Sequence, residues 1–219
     1  VKFLRLATLS VASLLVSACN PLMTASLDTL KAAFEGPEPL VLTRQQVDAT
    51  PYYQITIAAP TGEAVMALVR QQDGVSFWMA STRQILMLED GLAIRSVGFN
   101  DNLDGTRFDG ESPFKTGLHR IANGLQTRRQ VDFTAGYRMG VILTSRFEKK
   151  GLETVHILDR DVELLRVDEE IAMDGLDFTA RNQYWVDPAD GFIMASVQHL
   201  TPELPLRIVQ VRPNKPVVQ

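Results

Sequence analysis

From Tyr52 onward the apolar residues recur at every second position, and this period limits the chain to strands half-buried on one face. Tyr53, Ile55 and Ile57 alternate with Gln54 and Thr56, and Val75, Phe77 and Met79 repeat the pattern. Residues 65–69 and 85–88 are short continuous apolar runs of strand length. Pro60, Thr61 and Gly62, then Asp73 and Gly74, then Asp90 and Gly91 punctuate these segments with residues that suit tight turns. Residues 92–99 add a fifth strand, and no helical crossover separates any of them, so the order reads as an antiparallel meander.

Residues 100–128 read as an interruption. A polar loop is followed by Pro113, Leu118, Ile121, Ala122 and Leu125, spaced for a short helix that stops near Gly124. Strands resume with Met139, Val141, Leu143 and Phe147, a turn at Lys149, Lys150 and Gly151, and a return through Val155 and Ile157. Residues 162–172, 178–186, 192–199 and 206–211 complete about ten strands. The expected fold is mainly β: a curved antiparallel sheet or open half-barrel with a few short helices over its concave face.

The N-terminal segment points to export. Lys2 and Arg5 precede an apolar stretch over residues 6–16 that is too short to span a bilayer comfortably. Val16, Ser17, Ala18 and Cys19 then form a lipobox, in which small side chains admit a peptidase and Cys19, the only cysteine, carries the lipid. The expected division is a lipoprotein signal peptide over residues 1–18, a lipidated tether with a short helix over 19–38, and a single β-rich periplasmic domain over 39–219. The helix rests on Ser26 as cap, on Leu27, Leu30 and Phe34 as an apolar stripe, and on Gly36 as its stop. A thioether-linked diacylglycerol plus an N-terminal acyl chain exceeds the two hydrophobic signals that stable anchoring needs. Asn20 stands where an aspartate would hold such a protein in the inner membrane. The expected location is therefore the outer membrane, on its periplasmic face.

Charge excludes one large class of partners. The chain holds 22 basic and 26 acidic residues; with Lys2 and Arg5 removed in the signal, 20 stand against 26, a net charge of −6. That balance argues against nucleic acid. An intramolecular disulfide is impossible with one cysteine, so stability must come from the core.

Little in the sequence marks chemistry. Asn100, Asn102, Asp104 and Glu111 follow the oxygen spacing of a calcium loop, with Gly105 at the turn, but Asn replaces the first Asp and the preceding segment reads as strand. A structural turn is the preferred reading. His119, His156 and His199 fall in different expected elements and lack zinc-site spacing, which assigns them surface or core roles. Neither a Gly-x-Ser-x-Gly elbow nor a second cysteine is present. Asp159, Asp161, Asp168, Glu169 and Glu170 read as a solvated acidic face rather than a glycosidase pair. Tyr184, Trp185, Val186, Asp187 and Gly191 read as a hairpin with Trp185 in the core. The residues therefore indicate no enzyme, no cofactor and no metal.

With these segments in place, the chain resembles the YjbF/GfcB family, lipoproteins associated with group 4 capsule and related exopolysaccharide operons. The resemblance rests on the lipobox, Pro51 and Tyr52, Trp78, Asp90 and Gly91, Asn100, Asn102 and Leu103, Pro113, and the stretch from Tyr184 to Gly191. It implies a β-rich periplasmic domain on the outer membrane that supports assembly or export of surface polysaccharide, with export proteins, other envelope proteins or the polysaccharide itself as partners. It implies no catalytic residues. Two alternatives stand beside it: a lipid or lipoprotein carrier of the LolA/LolB type, which would require a large apolar cavity inside a similar sheet, and a periplasmic polysaccharide-modifying enzyme, motivated only by the compartment and the unassigned carboxylates.

Overall fold

The computed structural model describes residues 40–215. The lipobox, the signal segment and the helix expected after Ser26 lie outside them. The described chain opens on a short helix, α1 (Arg44–Asp48), closed by a capping box in which the Thr43 side chain accepts from Gln46 N and the Gln46 side chain accepts from Thr43 N. The Arg44 guanidinium ties this helix to the carbonyl of Val211 at 3.2 Å.

Twelve antiparallel strands follow: β1 (Gln54–Ala59), β2 (Gly62–Gln72), β3 (Val75–Ala80), β4 (Ile85–Glu89), β5 (Leu92–Val97), β6 (Leu103–Phe108), β7 (Gln126–Phe133), β8 (Arg138–Ile157), β9 (Arg160–Met173), β10 (Phe178–Val186), β11 (Ile193–Thr201) and β12 (Leu204–Arg212). The sheet order is β5-β4-β3-β2-β1-β12-β11-β10-β9-β8-β7-β6, so each strand neighbours its sequence neighbours and β1 pairs with β12. Its two edges, β5 and β6, are consecutive in the chain. Laid flat, twelve strands would hold those edges roughly 50 Å apart. The five residues 98–102 that join them reach about 20 Å at most. The sheet must therefore curl until its edges meet, and the result is a nearly closed barrel.

The seam is held by a side chain instead of a ladder. Ser96 Oγ, buried at 1% exposure, accepts from Leu103 N at 2.9 Å, and Asn102 brackets the turn by bonding both N and O of Phe99. Inward residues from opposite walls fill the space between, among them Ile55 and Ile57 of β1, Met66 of β2, Leu86 of β4, Leu143 of β8 and Leu206 of β12. Two gaps inside this core measure only about 10 Å³ each. That is space for one water at most.

A second cluster closes one end. After β6, the helix α2 (Pro113–Thr116) and the turns behind it bring Phe114, Leu118 and Ile121 onto Phe147, Val167, Tyr184, Val186 and Ile193. Phe114 meets Tyr184 and Phe147 edge-on, with ring centroids 5.1 and 6.0 Å apart.

The mainly β, curved antiparallel architecture follows the alternation of the sequence, with three departures. The interruption expected over residues 100–128 contains β6, which pairs with β7 although its middle residues are polar. The turn expected at Lys149–Gly151 is a bulge inside one continuous strand, because β9 keeps pairing with β8 on both sides of it. The helix expected to run to Gly124 ends at Thr116, where Gly117 takes φ +90°.

Candidate functional site

Three turns and two strand ends converge beside the α2 segment around a cavity of about 440 Å³, within the usual range for small-ligand pockets. Asp90 and Gly91 supply the β4–β5 turn, Asp190 and Gly191 the β10–β11 turn, and Gly117 to Arg120 the stretch after α2, while Trp78 of β3 and Gln210 of β12 form the inner wall. The β10–β11 turn is locked locally. Asp187 Oδ1 accepts from Ala189 N at 2.9 Å, Asp190 Oδ1 accepts from Phe192 N at 3.0 Å, and Lys215 Nζ reaches Asp187 at 2.5 Å and Asp190 at 2.8 Å. The Lys215 hydrogen bond holds the Asp187 carboxyl below the usual carboxylate range. Burial works to lower the Lys215 ammonium, but the two carboxylates outweigh it and raise the group.

His119 is set between two glycines. A Cβ on Gly191 would stand 2.3 Å from His119 Nδ1, and one on Gly117 would stand 2.7 Å from its Cε1. Both glycines also have positive φ, so each position excludes a side chain on two grounds. Arg120 Nε donates to His119 Nε2 at 3.0 Å, which leaves the ring proton on Nδ1.

This cavity gathers polar atoms that the protein leaves unpaired. Five buried side-chain atoms have no hydrogen-bond partner among the described residues, and three of them, Trp78 Nε1, His119 Nδ1 and Gln210 Oε1, belong to residues that line it. Trp78 is 2% exposed and Gln210 7%. The three atoms themselves have almost no contact with solvent, so they lie behind the cavity surface. Its charges balance, with Asp90 and Asp190 against Lys115 and Arg120.

A second hollow, shallow and about 800 Å³, crosses strands β7 to β10. Arg128, Arg146 and Arg181 reach it, yet Arg181 pairs with Glu170 at 3.1 Å and Arg128 with Asp109 at 3.3 Å, so much of its positive charge is compensated.

Residues 27–211 match the family model described as group 4 capsule polysaccharide lipoprotein GfcB, YjbF. The chain belongs to this family. It is similar to the uncharacterized lipoprotein GfcB of Escherichia coli (strain K12), at 26% identity over 196 residues, covering 88% of this chain and 90% of that protein. The crystal structure of the hypothetical lipoprotein YmcC from Escherichia coli (K12) is also similar, with a TM-score of 0.73 and 25% identity over 86% of this chain and 96% of that one.

In this YjbF-family chain, several residues that carried the resemblance meet at one place. Trp78, Asp90, Gly91 and Gly191 line the cavity, and Pro113 starts the α2 segment that closes its side. Gln210 sits in no recognisable motif, and His119, whose spacing from the other histidines assigns it a surface or core role, lines the cavity with it. The close approach of His119 to Gly117 and Gly191 is the one trace they leave, and it needs coordinates to be seen.

Of the acidic run, Asp159, Asp161 and Glu170 are solvated as expected, whereas Asp168 and Glu169 are buried. Alternation along β9 turns Glu169 inward, where it pairs with Arg129 and its Oε2 accepts from Asn182 Nδ2 and Tyr184 Oη, each at 2.9 Å. Burial pushes the Glu169 carboxyl up, but Arg129 and these donors prevail and hold it below the usual range. Burial and then the nearby Glu169 charge raise the Tyr184 phenol well above its ordinary value. Asp168, one residue away, faces the other side and is covered by Arg166, which grips it with two bonds of 2.7 and 3.1 Å. Trp185 also departs from expectation. Tyr184 and Val186 are fully buried, so the strand period places Trp185 on the outer face, its Nε1 donating to Glu153 at 2.9 Å.

The remaining candidates are dispersed. His156 is exposed, and its hydrogen bond with Asp161 at 2.7 Å raises its pKa; His199 lies beside Asn182, and burial lowers its pKa. Of the calcium-like pattern, Asn102 is engaged with Phe99, Asp104 accepts from Thr134 Oγ1 at 2.9 and 3.0 Å, and Glu111 is exposed. No group of three or more His, Cys, Asp or Glu placed to hold a metal occurs among the described residues.

Proposed function

We propose that this chain is an outer-membrane lipoprotein, anchored through lipid on Cys19 at the periplasmic face, that supports assembly or export of capsule or exopolysaccharide without catalysing a reaction. The observation that carries the reading is the family match over residues 27–211. The filled sheet agrees with it. A carrier of the LolA/LolB type would need an apolar cavity large enough for acyl chains, and the gaps inside this core hold one water each at most. The work therefore falls to the surface and the end cavity, in contact with polysaccharide or with other envelope proteins.

The test is the amount of polysaccharide on the cell surface and in the periplasm of a deletion strain, complemented with the native gene or with Cys19→Ala. Surface polysaccharide is expected to fall and to return only with the native gene. Unchanged polysaccharide in both compartments, with the operon expressed, overturns the proposal.

A further inference from the structure

We propose that the apolar outer face of strands β2 to β5 rests on the lipid surface to which the chain is anchored. The inference rests on the functional reading above for the lipid at Cys19, and it adds which side of the domain meets the membrane. Residues 65–69 and 85–88 are apolar without interruption, a pattern that suits strands covered on both faces. The fold covers one of them. Met66, Leu68, Trp78, Leu86 and Leu88 pack in the core, so alternation turns their neighbours outward.

On that outer side Ala67, Met79, Ile85 and Val97 lie side by side in one row across β2 to β5, with Phe77 and Met87 in the next. The rows span about 14 Å of sheet. Val69, Met79 and Val97 are 54%, 43% and 42% exposed. The far side of the curled sheet is different: β9 stands six strands from β3 either way round, and Arg128, Arg146, Glu148, Glu170 and Arg181 are its exposed side chains on β7 to β10. A contiguous apolar patch on one side only marks a surface that is covered in use.

The borders of the patch and the path of the chain point to lipid as the cover. Arg70 and Arg95 close the second row at its two ends, the Arg70 guanidinium 5.7 Å from the Phe77 ring centroid, and Arg83 stands in the turn beyond the first row. Apolar side chains bordered by guanidinium groups suit acyl chains beneath phosphate headgroups. Two acids lie near: Glu89 faces Val75 one row further on, and Glu63 accepts from Leu40 N at 2.8 Å. The Leu40 contact starts the described chain on this same outer face. Twenty residues separate Cys19 from Leu40, which holds the face within about 70 Å of the anchor. Such a tether raises the effective concentration of lipid to roughly the millimolar range, so a patch too small to bind a membrane unaided is enough to orient the domain.

The test uses the full lipidated chain, isolated from membranes and reconstituted into vesicles of phosphatidylethanolamine and phosphatidylglycerol. With Cys19 carrying lipid, a cysteine introduced elsewhere is the only free thiol and takes an environment-sensitive fluorophore. Met79→Cys and Val97→Cys probe the apolar face, and Thr144→Cys, exposed on β8, probes the far side. Blue-shifted emission that is quenched by lipids carrying a nitroxide near the headgroup is expected from the first two probes and not from the third. Met79→Asp should abolish the quenching at Val97→Cys, and because Met79 is exposed it should leave the melting temperature unchanged.

Equal quenching at all three positions would mean that the domain has no preferred face and overturns the proposal. Blue-shifted emission at Met79→Cys that the nitroxide lipids do not quench would mean that protein covers the face, a second copy where the same cysteine cross-links into dimers, and overturns it as well. Loss of surface polysaccharide in the deletion strain without selective quenching overturns the membrane face alone. Selective quenching with no polysaccharide defect on deletion overturns the export role instead.

Discussion

Arg129 and Glu169 form an ion pair in the interior of the curled sheet, contributed by β7 and β9, with both side chains almost wholly out of solvent. Ser145 Oγ lies 3.3 Å from the guanidinium, and Asn182 and Tyr184 complete the carboxylate's partners. The guanidinium also sits over the Phe108 ring of β6, 5.6 Å from its centroid, so strands β6 to β10 all meet at this pair. It is a structural device, set apart from the cavity wall formed by Trp78 and Gln210.

Arg129→Met should destabilise the protein by about 3–5 kcal/mol at pH 7, because it leaves a buried carboxylate without its cation. The pH dependence should change sign as well. In the unsubstituted protein Glu169 titrates below its unfolded value of about 4.3. Its stabilising contribution is thus present above that pH and is lost as pH falls through the folded value. Without Arg129, burial raises the folded value above the unfolded one, so acidification between the two should recover stability. Urea unfolding of both proteins from pH 7 to pH 4 measures the difference in slope; parallel slopes would refute the account.

The Ser96 to Leu103 bond joins the two edges of the sheet where the ladder stops. Ser96→Ala leaves the buried Leu103 N–H unpaired and should cost about 1–3 kcal/mol. Amide exchange should quicken first in β5 and β6, ahead of β8 and β9. Uniform quickening across all strands would show that the seam is not a separate point of opening.

The alternation that exposes β1 to β5 in the sequence is a property of each strand alone, and so it is legible there. Strand β6 is not, because Asp104, Gly105, Thr106 and Arg107 carry no apolar period; it is a strand by virtue of its pairing with β7 and its contact with β5. Gly151 reads as a turn residue for a sound reason, since it adopts φ +113°, but continued pairing with β9 absorbs it as a bulge. Glu169 fails the reading differently. A charged residue inside a strand is assigned to solvent unless its partner is known, and Arg129 is 40 residues away. The cavity was illegible for the same cause, as Trp78, His119 and Gln210 meet only when the sheet curls.

Two of the four residues of the calcium-like loop, Asn102 and Asp104, already have partners in the fold, at Phe99 and Thr134. Calorimetric titration with calcium should therefore give no binding heat and leave the melting temperature unchanged. A rise in melting temperature with calcium would mean that the loop rearranges to free Asn102 and Asp104.

Gly191→Ala should be costly for two separable reasons. An alanine at φ +83° costs about 1–2 kcal/mol by backbone conformation alone. Its Cβ would in addition stand 2.3 Å from His119 Nδ1, a contact that must be relieved by moving the imidazole or the turn. Removing the imidazole should remove only the second cost. In a His119→Ala background, Gly191→Ala should therefore cost only the conformational 1–2 kcal/mol or so, and the double-mutant cycle should return a coupling energy of the sign expected for a relieved clash. Zero coupling would mean that His119 already has room to move, and the cavity wall it forms would not be fixed by the two glycines.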